Sequence, residues 1–364
     1  MTRVAIVHDY LTQRGGAERV ALAMARAFPG APVYTSLYDK QSTFPEFQAI
    51  DVRPTWLNRI ALLRGRHRLA LPLLAPAFSA TTVDADVVLC STSGWAHGIG
   101  TSSPKVVYCH TPARWLYDGH RYLGGRIGIG ALSLAMLRPS LVRWDRQSAR
   151  SARRYLANSN VVKDRIRKVY GIEADVLPPP PALLPEGHQR PPDEVLEPGF
   201  FLCVARLLPY KNVDAVVEAF HALTTERLVV VGTGPEARRL ASRASARVSF
   251  AGAVDDDELR WLYANCSGVV AASFEDYGLT PLEAASFGKP AVVLRAGGFL
   301  DTVDEGSTGL FFAQPDAGSI GGTVRACASR AWDERTLRGH AERFSQQRFA
   351  ERLREVVRDE AERC

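Results

Sequence analysis

A chain of 364 residues is too long for one ordinary domain and comfortable for two, each able to bury a core of its own. With 46% hydrophobic and 23% charged residues it has the make-up of a soluble globular protein, and its longest apolar run, residues 127–137, holds two glycines and falls far below the ~20 residues of a membrane-spanning helix. The net charge of +6 hides a split: residues 1–190 carry 25 Lys and Arg against 13 Asp and Glu, while residues 191–364 carry 20 against 26, so that only the first half is suited to an anionic partner.

In chain order, apolar runs alternate with helical patterns, which argues for parallel α/β sheets. Residues 4–8 read as a buried strand and suit that role better than the apolar core of a secretory signal. Gly15 and Gly16 then open a helix with Val20, Met24 and Phe28 on one side. Residues 33–37, 87–90, 106–110 and 155–158 are further strands. The pattern breaks between 176 and 199, where eight prolines predict a stiff extended linker and the domain boundary. A second series follows at 201–205, 228–231, 248–250, 268–272, 291–294 and 309–312. The last segment, 344–357, is an amphipathic helix able to pack on either domain. Six scattered cysteines (Cys90, Cys109, Cys203, Cys266, Cys327, Cys364) show no metal or redox spacing and read as reduced residues of a cytoplasmic protein.

The candidate chemistry lies on the turns of the second series. Arg206 follows one strand and Lys211 comes five residues later at a helix start, a pair of cations suited to a diphosphate although each could be a plain surface charge. Gly232 and Gly234 follow the next strand, where glycine lets a nucleotide approach the backbone or merely makes a tight turn. Residues 273–290 then bring Glu275 onto a loop at a strand's carboxyl end and Glu283 about one turn into the following helix, with Gly278, Leu279 and Thr280 between them. Loops at that end of a parallel sheet form the ligand crevice, and a carboxylate there suits ribose or sugar hydroxyls. Gly297-Gly298 follows the next strand. By themselves the two glutamates fit a solvated helix face equally well.

The segments VARLLPYKN, VVGTGPE, FEDYGLTPLEAASFGKPAVV and AGGFLDTVDEGSTGLFF, in this order and spacing, resemble the donor-binding half of the family 4 retaining glycosyltransferases, also called group 1. HDYLTQRGGAERV, YCHTPARWLYD and YLANSNVVKDRI resemble the same family's first half, with a leaning toward mannosyl- and rhamnosyltransferase-like members of bacterial surface-polysaccharide assembly. The resemblance implies an α/β GT-B fold. Residues 1–180 would be an acceptor-binding Rossmann-like domain, 181–345 a nucleotide-sugar-binding one facing it across a cleft, and 346–364 a helix crossing back to the first. It implies an enzyme that moves a sugar, mannose or a similar hexose, with retention from a nucleotide-diphosphate donor to a glycan or lipid-linked glycan. Arg206 and Lys211 would hold the donor's phosphate, Glu275 the transferred sugar and Glu283 the ribose. Gly15 and Gly16 would meet phosphate or acceptor with their backbone N–H groups, and His110 would lie near the anomeric centre. Taken alone, His110 fits a strand end with a satisfied imidazole, and Trp115 and Tyr117 fit an acceptor pocket and core packing equally.

No metal or cofactor is expected, the nucleotide sugar being a co-substrate. Asp84 and Asp86 mimic a metal-binding pair but read as a turn. Residues 52–83 hold five arginines and no acid. Trp56, Ile60 and Leu63 recur there at i, i+4 and i+7, with Arg59, Arg64, Arg66 and Arg68 interspersed, a pattern that fits a helix lying on an anionic leaflet, with peripheral attachment at the inner face of the plasma membrane. Two other classes stay open: a sugar-nucleotide epimerase of the same fold, and a protein that binds an anionic polymer without catalysis. Nucleic acid is disfavoured because arginine alternates here with aliphatic residues and not with exposed aromatic platforms.

Overall fold

A computed structural model describes residues 2–65, 67–117, 129–192 and 197–363. The chain divides into two compact units, residues 1–180 with 346–364 and residues 181–345, and the division falls inside the proline run at Pro180–Pro181.

The first unit is built on a seven-stranded sheet: β1 (Val4–His8), β2 (Val33–Thr35), β3 (Val52–Pro54), β4 (Val87–Thr92), β5 (Lys105–Cys109), β6 (Arg154–Ala157) and β7 (Asp175–Val176). The spatial order is β3-β2-β1-β4-β5-β6-β7, and every neighbouring pair is parallel. Strands β1, β4 and β5 are buried along their whole length, which is why they read as continuous apolar runs without alternation. β3 and β7 carry no such signal. One is Val-Arg-Pro at a sheet edge, where proline is tolerated, and the other is two residues long.

The helix Gly16–Ala27 covers one face and buries Val20, Leu22 and Met24 in a cluster shared with Phe349, Leu353, Val356 and Val357 of the last helix, Gln346–Glu362. Polar contacts fix the register of this pair. Gln346 Nε2 donates to the Ala23 carbonyl at 3.1 Å, and Arg354 Nε donates to the Ala27 carbonyl at 2.9 Å, capping a helix end that has no intrahelical donor. The Phe349 ring meets the edge of Tyr108, with centroids 5.8 Å apart. Of the two options open to the last segment, the first unit holds it.

The second unit has six parallel strands, β8 (Phe201–Val204), β9 (Leu228–Val231), β10 (Val248–Gly252), β11 (Gly268–Ala271), β12 (Ala291–Leu294) and β13 (Gly309–Phe312), in the order β10-β9-β8-β11-β12-β13. Both sheets reverse direction once, between β1 and β4 and between β8 and β11. Such a switch point opens a crevice at the carboxyl ends of its two strands.

The tract 52–83 departs from expectation. It is a series of short pieces, Trp56–Arg59, Ala61–Gly65, His67–Ala70 and Leu71–Ser79, and not one helix. Leu63 points into the core with Leu57, while Trp56 and Ile60 remain exposed, so the i, i+4, i+7 stripe does not form one face. The physical reason is that the helical period applies only within a continuous helix.

Candidate active site

At the β8/β11 switch point Lys211 meets Glu275, and Arg206 lies on the same strand-end loop as Lys211. After β8 the chain passes Arg206 and turns through Pro209–Lys211 into Asn212, a non-glycine residue in the left-handed region at φ 52°. The Asn212 side chain donates to the Ala272 carbonyl just after β11 at 2.9 Å, tying the two strand-end loops together. Lys211 Nζ donates to Glu275 Oε1, and the Ser273 hydroxyl donates to the same oxygen. Lys211 keeps 13% of its side chain exposed and Glu275 26%, half-buried groups that still reach solvent. Arg206 is exposed, in long contact with the Tyr210 hydroxyl at 3.4 Å.

Glycine holds these loops in place. Gly297 (φ +66°) and Gly298 lie so close to the Glu275 loop that an added Cβ would stand 2.3 Å from the Glu275 carbonyl oxygen in one case and 2.3 Å from Tyr277 Cα in the other. The Gly298 N–H donates to that same carbonyl at 2.8 Å. Gly232 and Gly234 have a comparable role. At Gly232 (φ +130°) a Cβ would sit 1.9 Å from the Ala205 carbonyl oxygen, and at Gly234 2.3 Å from that of Leu207. What these two glycines admit within the unit is the neighbouring Arg206 loop.

Glu283, in the helix Leu279–Ser286, is buried and accepts from the Tyr263 hydroxyl at 2.7 Å. Burial and the Glu283 carboxylate together raise that phenol far above its ordinary pKa, so it stays a donor. Gly278 starts this helix at φ +88° against the Phe299 ring and leaves its first turn without a side-chain cap, so that the N–H groups around Leu279 and Thr280 suit an anion. Tyr263 and Ser273 are absent from the sequence reading. Nothing in the spacing of Tyr263 marks it, since its contact spans 20 residues between two helices.

In the first unit, Gly15 precedes the helix that begins at Gly16, without a side-chain cap. His110, one residue past β5, is buried beside the end of β4, and its Nε2 stands 2.8 Å from Ser91 Oγ. Ser91 Oγ is also 3.0 Å from His8 Nδ1 at the end of β1. Asn158 Nδ2 donates to the His110 carbonyl at 3.1 Å. Burial above all, with His8 nearby, pulls the His110 imidazole down to a pKa of about 3, so it is neutral at pH 7. Trp115 stacks on Trp95 with centroids 4.4 Å apart, and Tyr117 donates its hydroxyl to Asp145 at 2.6 Å. Trp115 belongs to the core cluster of this unit, and Tyr117 packs against it. Trp56, Arg59 and Arg64 are exposed; Arg66 and the Arg68 side chain lie outside the described residues. Asp86 accepts two bonds from the Arg3 guanidinium, at 3.1 and 3.2 Å, and Asp84 stands 3.5 Å from it, an ion-paired surface turn. Among the described residues no group of three or more His, Cys, Asp or Glu could hold a metal ion.

Comparison with known proteins bears on both units. The model described as glycosyl transferases group 1 matches residues 187–331, and that of glycosyltransferase family 4 matches residues 14–180. An alpha-1,3/1,6-mannosyltransferase of Dictyostelium discoideum is 41% identical over 64 residues, 17% of this chain and 15% of that protein. A D-inositol 3-phosphate glycosyltransferase of Mycobacterium avium is 33% identical over 159 residues, 39% of this chain and 37% of the other. The chain thus spans less than half the length of the curated relatives it matches. Among solved structures, Anabaena HepE in complex with UDP superposes with a TM-score of 0.71 at 18% identity, over 98% of this chain and 100% of that one. The sucrose-phosphate synthase of Thermosynechococcus elongatus gives 0.70 at 17% identity, over 98% of each. At such identity these neighbours speak for the fold, which is GT-B. Two family models that follow each other along the chain, on two parallel sheets of the matching fold, establish that it belongs to the group 1, family 4, glycosyltransferases.

Proposed function

We propose that the protein transfers a hexose, with retention, from a nucleotide-diphosphate sugar to a glycan or lipid-linked glycan. The observation that carries this reading is the Lys211–Glu275 pair at the β8/β11 switch point, with Arg206 exposed on the same loop as Lys211 and the uncapped helix start at Gly278 three residues after Glu275. Two cations there neutralise charge that builds on a leaving diphosphate, while Glu275, one oxygen already held by Lys211 and Ser273, offers the other to a sugar hydroxyl. Glu283, oriented by Tyr263, accepts from ribose hydroxyls. In the transfer the acceptor oxygen bonds to the anomeric carbon on the face from which the diphosphate leaves. The acceptor's proton passes to a departing phosphate oxygen, so the protein supplies position and charge compensation and no nucleophile. Relatives named as a mannosyltransferase and solved structures named as complexes with UDP-glucose support hexose and nucleotide donor without fixing either. No metal is required in this reading, because the cations do its work; excess chelator should leave the rate unchanged, and a collapse restored by magnesium would refute it.

The proposal extends to an anionic membrane surface for the first unit. Trp56, Ile60, Leu62 and Leu69 are exposed large apolar residues, with Arg59 and Arg64 exposed among them. Among the described residues no helix is long and apolar enough to cross a membrane; the attraction proposed is electrostatic, at about 1 kcal/mol per basic residue near the surface. Co-sedimentation should find the protein with anionic and not with neutral vesicles, and less of it as salt rises; indifference to anionic vesicles at low salt removes this part. The transfer itself is tested by thermal-shift screening against nucleoside diphosphates and sugar nucleotides, followed by assay of the selected donor with lipid-linked and free glycans. Ligand stabilisation of the wild type that survives intact in an Arg206→Ala, Lys211→Ala double variant would overturn the donor assignment.

A further inference from the structure

Past the carboxyl end of β2 the first unit holds a cavity of about 510 Å³ whose side chains the transfer reaction, as proposed, leaves unused. Its walls come from two strand-end segments. Residues 38–41, after β2, supply Tyr38, Asp39, Lys40 and Gln41, and the short turns after β3 supply Asn58 and Arg64. The Asp39 N–H donates to the Leu11 carbonyl at 2.9 Å and holds the first segment beside the chain that follows β1. The Tyr38 N–H donates to Asn58 Oδ1 at 2.9 Å and joins the two segments to each other.

The free groups of these walls are mostly donors. A backbone N–H can only donate, so the Tyr38 bond fixes which end of the Asn58 amide is which: the oxygen faces Tyr38, and the NH2 group has no partner among the described residues. Lys40 and Arg64 are exposed and form no ion pair among the described residues. Asp39 is an acid in the same wall, but its oxygens serve its own chain, Oδ1 accepting from the Gln41 N–H at 3.1 Å and Oδ2 from the Ser42 hydroxyl at 2.8 Å. The Ser42 hydroxyl above all, with smaller help from the backbone and from the charge of Arg64, holds that carboxyl below its usual range. Two cations against one carboxylate leave the walls one positive charge in excess. Such a set suits the several oxygens of a phosphate better than a neutral sugar, which asks for acceptors as well as donors. On the same turns, interleaved with Asn58 and Arg64, Trp56, Ile60 and Leu62 are 46%, 41% and 60% exposed. Phosphate donors and apolar side chains on one short stretch fit an amphiphile.

We propose that this cavity binds the phosphate headgroup of a lipid: Lys40 and Arg64 hold its charge, the NH2 groups of Asn58 and Gln41 take its remaining oxygens, and Trp56, Ile60 and Leu62 lie against the apolar chain that carries it. The chemistry recognised is a phosphate ester on a long apolar chain, which a membrane phospholipid and the diphosphate of a lipid-linked glycan share. The lipid part deepens the reading given above and rests on it; the phosphate site does not. A diffuse surface charge is indifferent to which basic residues supply it, whereas a cavity loses its ligand when its own donors are removed.

The test uses the full-length chain carrying Arg206→Ala and Lys211→Ala, so that the cations of the second unit do not compete for the probe. Farnesyl diphosphate, below its micellar concentration, is titrated by calorimetry beside its two halves, farnesol and inorganic pyrophosphate. Phosphatidylcholine vesicles with and without phosphatidic acid are tested in parallel by co-sedimentation. The expected result is that farnesyl diphosphate binds at least roughly tenfold more tightly than either half, and that adding Lys40→Gln and Arg64→Gln weakens it at least roughly tenfold, the scale of a lost charge-assisted hydrogen bond. Both side chains are exposed, so these variants should fold. An equal change of charge elsewhere in the first unit, Arg26→Gln with Arg167→Gln, should leave the affinity as it was, since neither side chain lines the cavity. A loss confined to farnesyl diphosphate assigns the site to a lipid-linked substrate, and one confined to phosphatidic acid vesicles assigns it to a membrane headgroup. Equal losses in the two pairs of variants, binding in both arms that ignores Lys40 and Arg64, or no binding in either arm overturns the proposal; pyrophosphate bound as tightly as farnesyl diphosphate overturns its lipid part. None of these readouts uses transfer, so a chain without transferase activity would refute the reaction and leave the cavity to be judged by its ligand.

Discussion

The two switch points share a topology and differ in chemistry. At β1/β4 the polar groups are buried and mostly spent on one another: Glu18, His8, Ser91 and His110 in a row, and Asp9 accepting backbone N–H groups of Ser93, Trp95 and Ala96 at 2.6, 3.2 and 2.7 Å. At β8/β11 the groups are charged and partly open, with Arg206 exposed and Lys211 and Glu275 half-buried. A buried polar network whose bonds run to fixed neighbours defines the orientation of a side chain, here His110 held at Ser91. Charges left in reach of solvent can exchange their partners for a ligand's phosphate and hydroxyls. One sheet topology thus occurs twice with different chemistry, enclosing a neutral imidazole in the first unit and leaving charges open to a ligand in the second.

The largest effect that would test this contrast is the loss of a cation at β8/β11. Arg206→Ala or Lys211→Ala should each lower turnover on the order of tenfold to a thousandfold, the range for removing one charge-stabilising donor. Lys211→Ala also leaves Glu275 with Ser273 alone at its Oε1. Steady-state kinetics on folded variants decide the matter, and near-wild-type turnover in both would mean that the open charges of the second unit are only surface charges.

Next comes the packing between strand-end loops. Gly232→Ala places a Cβ 1.9 Å from the Ala205 carbonyl at a backbone φ of +130°, and should destabilise the second unit by roughly 1 to 3 kcal/mol or more. Denaturant unfolding measures it. Because the carbonyl belongs to the residue before Arg206, donor affinity should fall as well. A stable Gly232→Ala protein with unchanged donor affinity would separate the two loops that the structure joins.

How much of this was legible in the sequence follows the same division. Strands buried on both faces leave unbroken apolar runs, so β1, β4, β5, β9 and β12 could be read directly, and the Arg206, Lys211, Glu275 and Glu283 spacing lies within single strand-to-helix turns. The row at β1/β4 could not be read, because Ser91 meets a residue 83 positions earlier and another 19 later, and those contacts exist only once the strand order is known. The tract 52–83 misled for a different reason. Its apolar spacing fits a helix, but the chain breaks into short turns that bury Leu57 and Leu63 and leave Trp56 and Ile60 outside.

The third prediction sets the first unit against pH. His110 has a folded pKa lowered to about 3, below its unfolded value near 6.5, so between those values the unfolded chain binds more protons. Stability should therefore rise with pH across that window and fall as pH drops through it, at up to about 1.4 kcal/mol per pH unit from this residue. His110→Gln should flatten that slope in urea titrations between pH 4 and 6.5. An unchanged slope would show that the imidazole is less enclosed than its contacts imply.

The smallest effect sharpens the role of Glu283. Its carboxylate accepts from the Tyr263 hydroxyl at 2.7 Å, and the Tyr263 ring is stacked on Phe287 with centroids 5.4 Å apart, so the ring keeps its place when only the oxygen is removed. Tyr263→Phe deletes the hydrogen bond to the buried Glu283 carboxylate together with the contact to the Thr280 hydroxyl. It leaves the apolar packing and the cations at β8/β11 untouched. If Glu283 holds ribose in both ground state and transition state, its orientation contributes uniform binding, and the loss appears in donor KM with turnover preserved. The expected change is about 1 kcal/mol, roughly fivefold in KM. A fall in turnover at constant KM would instead place Glu283 in the chemistry of transfer, beside Arg206, Lys211 and Glu275.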